Sequence, residues 1–344
     1  MRVLYGVCGE GFGHSSRANK IIGHLLKRGH KILVVTYGQA YDVLRKYKTV
    51  KVSGLKMVFE KGRLKVGKTV AQNVQEFFAD YKLFGELKRE IDKFKPEICI
   101  SDMEMLVPIV SHYYNLPLVS LDNQHRITHF KLKVPKKYFK DYLLAKSVVH
   151  RIVARADAFI VLSFVKQKSS KKVYFVDPLL REEVVKLRAK KGDEVLVYQT
   201  KPDKDFLEIL KKIPEKFVVY GYQKNKRDGN FVFKKFGKKF LRDLANCKAV
   251  IATSGFSLIS EAIYLKKPYF AIPLKGQFEQ VLNALFLKKA GFGNFAENPT
   301  EKDISVFLHA LGKYEGKLKG AKIDPYEALK ILDNVLRNLK KRKA

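Results

Sequence analysis

The chain has 344 residues, 46% of them hydrophobic, which suits two α/β domains of roughly 150–170 residues better than one core. No apolar run reaches the ~18 residues of a membrane-spanning helix, and the opening MRVLYGV lacks the pattern of a signal peptide, so a cytoplasmic protein is expected. Lys and Arg number 68 against 34 acids, a net charge of +34 carried by both halves of the chain, and the three cysteines at 8, 99 and 247 are spaced for neither disulfides nor zinc.

Residues 2–7 read as a first buried strand. The loop Cys8-Gly9-Glu10-Gly11-Phe12-Gly13-His14 then opens a helix that runs to Arg28, and Gly29 supplies its exit. A glycine-rich loop after a first strand also suits a dinucleotide site. His14-Ser15-Ser16 replaces the third glycine here, however, and the second strand, 31–36, ends without a ribose-binding acid. Residues 71–94 have the period of an amphipathic helix stopped by Pro96. Strands at 98–101 and 117–121 follow, and they carry Asp102 and the run Asp122-Asn123-Gln124-His125 to carboxyl ends, where parallel sheets keep their sites. A segment rich in Lys and aromatics comes next, with Phe130, Tyr138, Phe139 and Tyr142 among Lys131, Lys133, Lys136, Lys137 and Lys140. His125 and His129 have metal spacing but no third ligand, so a surface loop entering a helix is the plainer expectation. A strand at 158–162 closes the first half.

The charged stretch 177–192 divides 1–176 from a second α/β domain, 193–322, with 323–344 as a terminal helix. Strands are expected at 195–199, 216–220, 230–233, 249–253 and 269–272. The alternation of strands and helices makes both sheets parallel. AVIAT ends in the turn Thr253-Ser254-Gly255 and a helix begins at once with Phe256 and Ser257. A helix start at a sheet's mouth offers unpaired N–H groups and a positive dipole end to an anion. Glu261, one turn after Ser257, suits vicinal hydroxyls better than phosphate, so the pattern points to a bound nucleotide.

With these residues in order, the segment 249–284 resembles the donor signature of GT-B nucleotide-sugar glycosyltransferases, in particular the bacterial lipid-intermediate N-acetylglucosaminyltransferases of peptidoglycan synthesis and their relatives. The resemblance implies an α/β fold of two Rossmann-like domains whose parallel sheets face across a cleft. It also implies donor diphosphate at Thr253, Ser254, Gly255, Phe256 and Ser257, and ribose at Glu261. Donor-sugar hydroxyls fall to Glu279 and Gln280, with Gln277 beside them on the donor side, and uracil to the backbone of Phe236-Gly237. Thr200 either reaches the diphosphate or caps the helix that follows it. On the first domain His14 is implied as general base. Asp102 is its orienting partner or a helix cap, and Glu10 is a rival partner or an acceptor contact. The acceptor side is assigned to Gly11, Gly13, Arg17, Asn123, Gln124 and His125. No metal or cofactor is implied beyond the UDP-sugar co-substrate.

The expected function is therefore inverting, metal-independent transfer of N-acetylglucosamine or another hexose from a UDP-sugar to an acceptor hydroxyl. A non-hydrolysing UDP-sugar 2-epimerase and a polyanion- or RNA-binding protein on a relict GT-B frame are the alternatives. The charge has two readings. One is a thermophile composition, although the matching Glu is missing; the other is attraction to an anionic or lipid-linked acceptor, with a peripheral place on the inner membrane face. Nucleic acid is the weaker partner, because no RNA-binding motif occurs.

Overall fold

The computed structural model describes residues 1–54, 59–60, 63–64, 81–237 and 239–343. It divides into two compact units, Met1–Arg181 with Asp324–Ala344, and Glu182–Ile323. The stretch 177–192 is thus shared between them, and the terminal helix groups with the first.

The first unit holds β1 (Arg2–Val7), β2 (Lys31–Thr36), β3 (Thr49–Lys51), β6 (Ile98–Asp102), β7 (Leu118–Asp122), β8 (Ala158–Leu162) and β9 (Val173–Val176) in one sheet ordered β3-β2-β1-β6-β7-β8-β9, every pair parallel. A separate short pair, β4 (Phe59–Glu60) and β5 (Arg63–Leu64), lies outside it. Both β6 and β7 are buried along their whole length, which is why they read as continuous apolar runs. The helices are α1 (Phe12–Lys27), α2 (Gly38–Leu44), α3 (Tyr81–Phe94), α4 (Leu106–Tyr113), α5 (Arg126–His129), α6 (Phe139–Ile152) and, from the chain's end, α14 (Glu327–Lys343), which packs on β8 and β9. Of the helix expected at 71–94, the part before Tyr81 lies outside the described residues.

Backbone preference sets the ends of α1. Gly11 precedes it at φ 80°, a conformation costly for any residue with a Cβ. Gly29 follows at φ 76°, and the N–H of His30 reaches back to the Leu25 carbonyl at 3.1 Å, the closing bond of a left-handed cap.

The second unit repeats the plan. Its strands are β10 (Val195–Tyr198), β11 (Phe217–Tyr220), β12 (Lys226–Asp228), β13 (Phe231–Phe233), β14 (Ala249–Thr253), β15 (Tyr269–Ile272) and β16 (Gly293–Phe295). They form a sheet ordered β12-β13-β11-β10-β14-β15-β16, parallel except for β12 against β13. Helices α7 (Glu182–Val185), α8 (Lys204–Lys211), α9 (Lys239–Asn246), α10 (Phe256–Tyr264), α11 (Phe278–Ala290), α12 (Glu301–His309) and α13 (Leu311–Lys319) accompany it. Its core joins Val195, Val197, Phe217, Val219, Ile251 and Phe270 from the strands to Phe206, Leu210, Ile304 and Phe307 from the helices.

Each sheet winds outward in both directions from its first strand. The order therefore reverses between β1 and β6 in one unit and between β10 and β14 in the other. Crevices at such reversals, beyond the strands' carboxyl ends, are where α/β sheets bind ligands. Among the described residues no helix is long and apolar enough to cross a membrane.

Candidate active site

The reversal point of the first unit is set by register. Val7, the last residue of β1, lies opposite Asp102, the last of β6, and the Cys8 N–H donates to the Asp102 carbonyl at 3.0 Å. The glycine turn and the start of α1 are thereby held beside the Asp102 side chain. His14 Nδ1 lies 2.8 Å from Asp102 Oδ1, and Gln124 Nε2 lies 3.2 Å from His14 Nε2. Asp102 is fully buried and His14 nearly so.

Arg17, one turn along α1, completes the cluster. Its Nε donates to Asp102 Oδ2 at 2.6 Å, its Nη2 donates to Asp102 Oδ1, and its Nη1 donates to Asn123 Oδ1 at 2.5 Å. Burial alone would push the Asp102 carboxyl up. The Arg17 guanidinium, and after it His14, outweigh burial and hold it below the usual carboxylate range. With Asp102 ionised, the His14 ring proton is favoured on Nδ1, leaving a lone pair on Nε2 that Gln124 can donate to and that an incoming hydroxyl proton can use.

Of the two roles open to Asp102, capping is taken by another residue. Glu104 is fully buried, and its carboxyl oxygens accept the Leu106 and Val107 N–H groups at 2.9 and 2.8 Å at the start of α4. Burial pushes Glu104 up to about 7 despite these bonds. Met103, between the two acids, sits at φ 53°, an uncommon conformation for a side chain of its size. Glu10 is half-buried in the turn before α1.

The neighbouring strand end differs from expectation at His125. It is buried rather than on a surface loop, because Asp122 accepts from both its backbone N–H at 2.8 Å and its ring, with Nδ1 2.7 Å from Oδ2. Burial would raise the Asp122 carboxyl; His125 overrides it and holds the group low. Gln124 and Asn123 are also buried, so this run lines the cluster instead of facing solvent.

In the second unit the reversal point gathers the hydroxyls. Thr200 Oγ1 and Thr253 Oγ1 are 3.0 Å apart across the ends of β10 and β14. The helix after Thr200 is capped by Asp203, which accepts from Asp205 and Phe206 N–H, so Thr200 is not its cap. Ser254 is fully buried, and its hydroxyl has no hydrogen-bond partner among the described residues. The Ser254 carbonyl is pinned from behind by Asn283 Nδ2 at 2.8 Å. A Cβ placed on Gly255 would meet nothing within 4 Å, so the fold leaves open space before the first turn of α10. Phe256 is buried, Ser257 half-buried, and Glu261 buried one turn further on.

Around this turn Gln280 braces its own loop, accepting from the Leu274 N–H at 3.0 Å and donating to Gln277 Oε1 at 2.6 Å. Glu279 is half-buried in the first turn of α11. Phe236 is 53% exposed, with its ring 5.7 Å from Tyr198 and 4.7 Å from Phe240, and Gly237 beside it is open on its Cβ side. Sequence reasoning missed this aromatic shelf, whose members lie on separate elements.

Comparisons with known proteins bear on the family and the fold. A family model described as glycosyl transferase family 1 matches residues 1–312. An uncharacterised glycosyltransferase of Methanosarcina mazei is 25% identical over 338 residues, and one of Methanosarcina acetivorans 24% over 344, each alignment covering 88% of both chains. Among solved structures, the glycotransferase of kitacinnamycin has a TM-score of 0.70 at 13% identity over 98% of each chain. The calicheamicin glycosyltransferase CalG4 has 0.69 at 15%, covering 99% of this chain and 98% of its own. VinC, solved in complex with DTDP, has 0.65 at 13%, covering 99% and 100%. At those identities the structural likeness establishes the fold, which is GT-B. This chain belongs to glycosyl transferase family 1 and is a glycosyltransferase.

Proposed function

We propose that the enzyme is an inverting, metal-independent transferase that takes a hexose, N-acetylglucosamine foremost, from a UDP-sugar. The observation that carries this reading is the buried, unpartnered Ser254 hydroxyl just before α10, followed about two turns later by the buried carboxylate of Glu261. A buried hydroxyl without a partner is costly, and an incoming phosphate oxygen satisfies it while the helix start supplies N–H groups and positive potential. The open space at Gly255 admits that approach, and Glu261 accepts from the ribose hydroxyls. Phe236 and Gly237 flank the base, with Gln277, Glu279 and Gln280 beside the sugar. The DTDP held by VinC supports a nucleoside diphosphate as the ligand class.

The chemistry then asks little of the second unit beyond holding the departing diphosphate. Its growing charge is met by the α10 N–H groups and by the Thr200, Thr253, Ser254 and Ser257 hydroxyls, which is the role a metal would otherwise fill. The first unit supplies the base. His14 Nε2 removes the acceptor proton as the oxygen attacks the anomeric carbon, inverting it, and Asp102 orients the ring through Nδ1.

The acceptor in this reading is lipid-linked or otherwise anionic. Helix α6 exposes Phe139 at 50%, Leu143 at 49% and Val148 at 43%, bordered by the exposed Lys133, Lys136 and Lys140. Apolar side chains ringed by lysines suit an anionic membrane surface, where each Lys adds about 1 kcal/mol. Replacing Lys133, Lys136, Lys137 and Lys140 with Glu should abolish pelleting with anionic vesicles and leave UDP binding unchanged. No wild-type pelleting at low salt would remove the membrane from the account.

The whole reading is tested by incubating the enzyme with UDP-N-acetylglucosamine and related nucleotide sugars, with and without lipid-phosphate acceptors. UDP release that requires the acceptor is the expected result. Isomerisation of the donor without acceptor would reassign the enzyme as an epimerase, and RNA binding with no nucleotide binding would discard the donor site.

A further inference from the structure

Arg17 is the best-engaged side chain of the first unit's cluster, and proton abstraction by His14 does not by itself require it. It stands three residues after His14, on the same face of α1. Its fork grips both Asp102 oxygens, a third arm goes to Asn123 Oδ1 at 2.5 Å, and its Nη2 lies 2.7 Å from His14 Nδ1. The imidazole therefore touches an anion and a cation at once, with Asp102 Oδ1 at 2.8 Å on the same nitrogen. On the other ring nitrogen stands neutral Gln124 from the turn after β7, and the nearest acid along the chain is half-buried Glu10 on the loop before α1. Behind the guanidinium, Asp122 adds a second carboxylate charge.

These two contacts act on His14 in opposite directions. A lone buried carboxylate favours the Nδ1–H tautomer that leaves Nε2 free, but it also favours the doubly protonated ring, which is useless as a base. A fixed guanidinium at similar distance opposes the second proton by its charge, and although Nη2 can only donate and so competes for Nδ1, the Asp102 carboxylate beside Nδ1 and the Gln124 amide donating to Nε2 favour keeping the first proton on Nδ1. We propose that Arg17 is a positioning residue for the transfer: paired to Asp102, it lets that carboxylate orient His14 while cancelling most of the carboxylate's pull toward imidazolium. This inference rests on His14 being the base, yet its test does not.

The test is a nitrogen-15 NMR titration of the histidines in the full chain without substrate, with the His14 signals identified by their loss in His14→Asn. Arg17→Gln should move the His14 midpoint up by about one pH unit or more, as loss of an adjacent like charge does. Asp102→Asn should move it down, and Arg17→Lys, which keeps the charge, should leave it near wild type. The double variant Arg17→Gln/Asp102→Asn removes both charges and should return the midpoint close to wild type, in the manner of a double-mutant cycle. It also guards against a single variant that fails to fold for want of its partner. An unmoved or lowered midpoint in folded Arg17→Gln, or a double variant displaced by a full unit, would show that Arg17 only braces Asp102. His14→Ala with undiminished turnover would instead remove His14 as base and leave the titration result standing.

Discussion

At the carboxyl ends of β1 and β6 the charged side chains satisfy one another: Arg17 grips Asp102 and Asn123, and Asp102 reaches His14, while the buried atoms of this unit without a hydrogen-bond partner, Tyr5 Oη, His125 Nε2 and Arg126 Nη1, lie outside those bonds. At the ends of β10 and β14 the Thr200 and Thr253 hydroxyls pair, but one donor is left over. Ser254 keeps a buried hydroxyl without a partner, and Gly255 faces open space. Both places are the reversal points of similar sheets, so the difference is not one of scaffold. In the proposed reaction it separates two tasks. A base must hold its geometry and tautomer before any substrate arrives, which calls for charges locked in a closed network. A nucleotide site must surrender its polar groups to the ligand, which calls for donors left unspent.

The contrast can be broken at either end. The largest effect is expected from His14→Ala, which should lower turnover by about 10²–10⁴-fold while leaving donor affinity nearly intact. Steady-state rates beside a UDP titration separate the two, and a mutant with wild-type turnover would pass the base role to another group. Next comes Asp102→Ala. It strands the buried Arg17 charge and should cost about 3–5 kcal/mol of stability, read by denaturant unfolding. Loss of less than 1 kcal/mol would mean that the network is not closed as described. Ser254→Ala is the matching change in the second unit and should be smallest, within about 0.5 kcal/mol of wild-type stability, because it removes a group with no partner to lose. A large destabilisation there would mean that the hydroxyl serves the fold.

Much of this arrangement was legible from the sequence, because parallel-sheet strands are buried on both faces and announce themselves as apolar runs. Strands β1, β2, β6, β8, β14 and β15 fall within a residue of where the runs place them. Edge strands β3, β9, β12 and β16 escaped, being three or four residues long and partly exposed. The turn at 253–255 and Glu261 were legible because helix starts and one-turn spacing are local. Partnerships across the chain were not. Arg17 and Asp102 are 85 residues apart, and no spacing rule links them. Local competition was equally hidden. Asp102 and Glu104 both stand before α4, and Asp203 and Thr200 both before α8; side-chain reach decided each cap. His125 looked exposed because it adjoins a lysine-rich segment, yet Asp122 draws it inside.

The proposed binding of a nucleoside diphosphate at the second unit's reversal point is tested most directly by calorimetric titration of UDP into wild type and Glu261→Ala. Loss of the carboxylate should remove its charged hydrogen bonds to ribose and weaken binding by about 1.5–3 kcal/mol, roughly 10- to 150-fold. Equal affinity in the two proteins would place the nucleotide elsewhere and contradict the account.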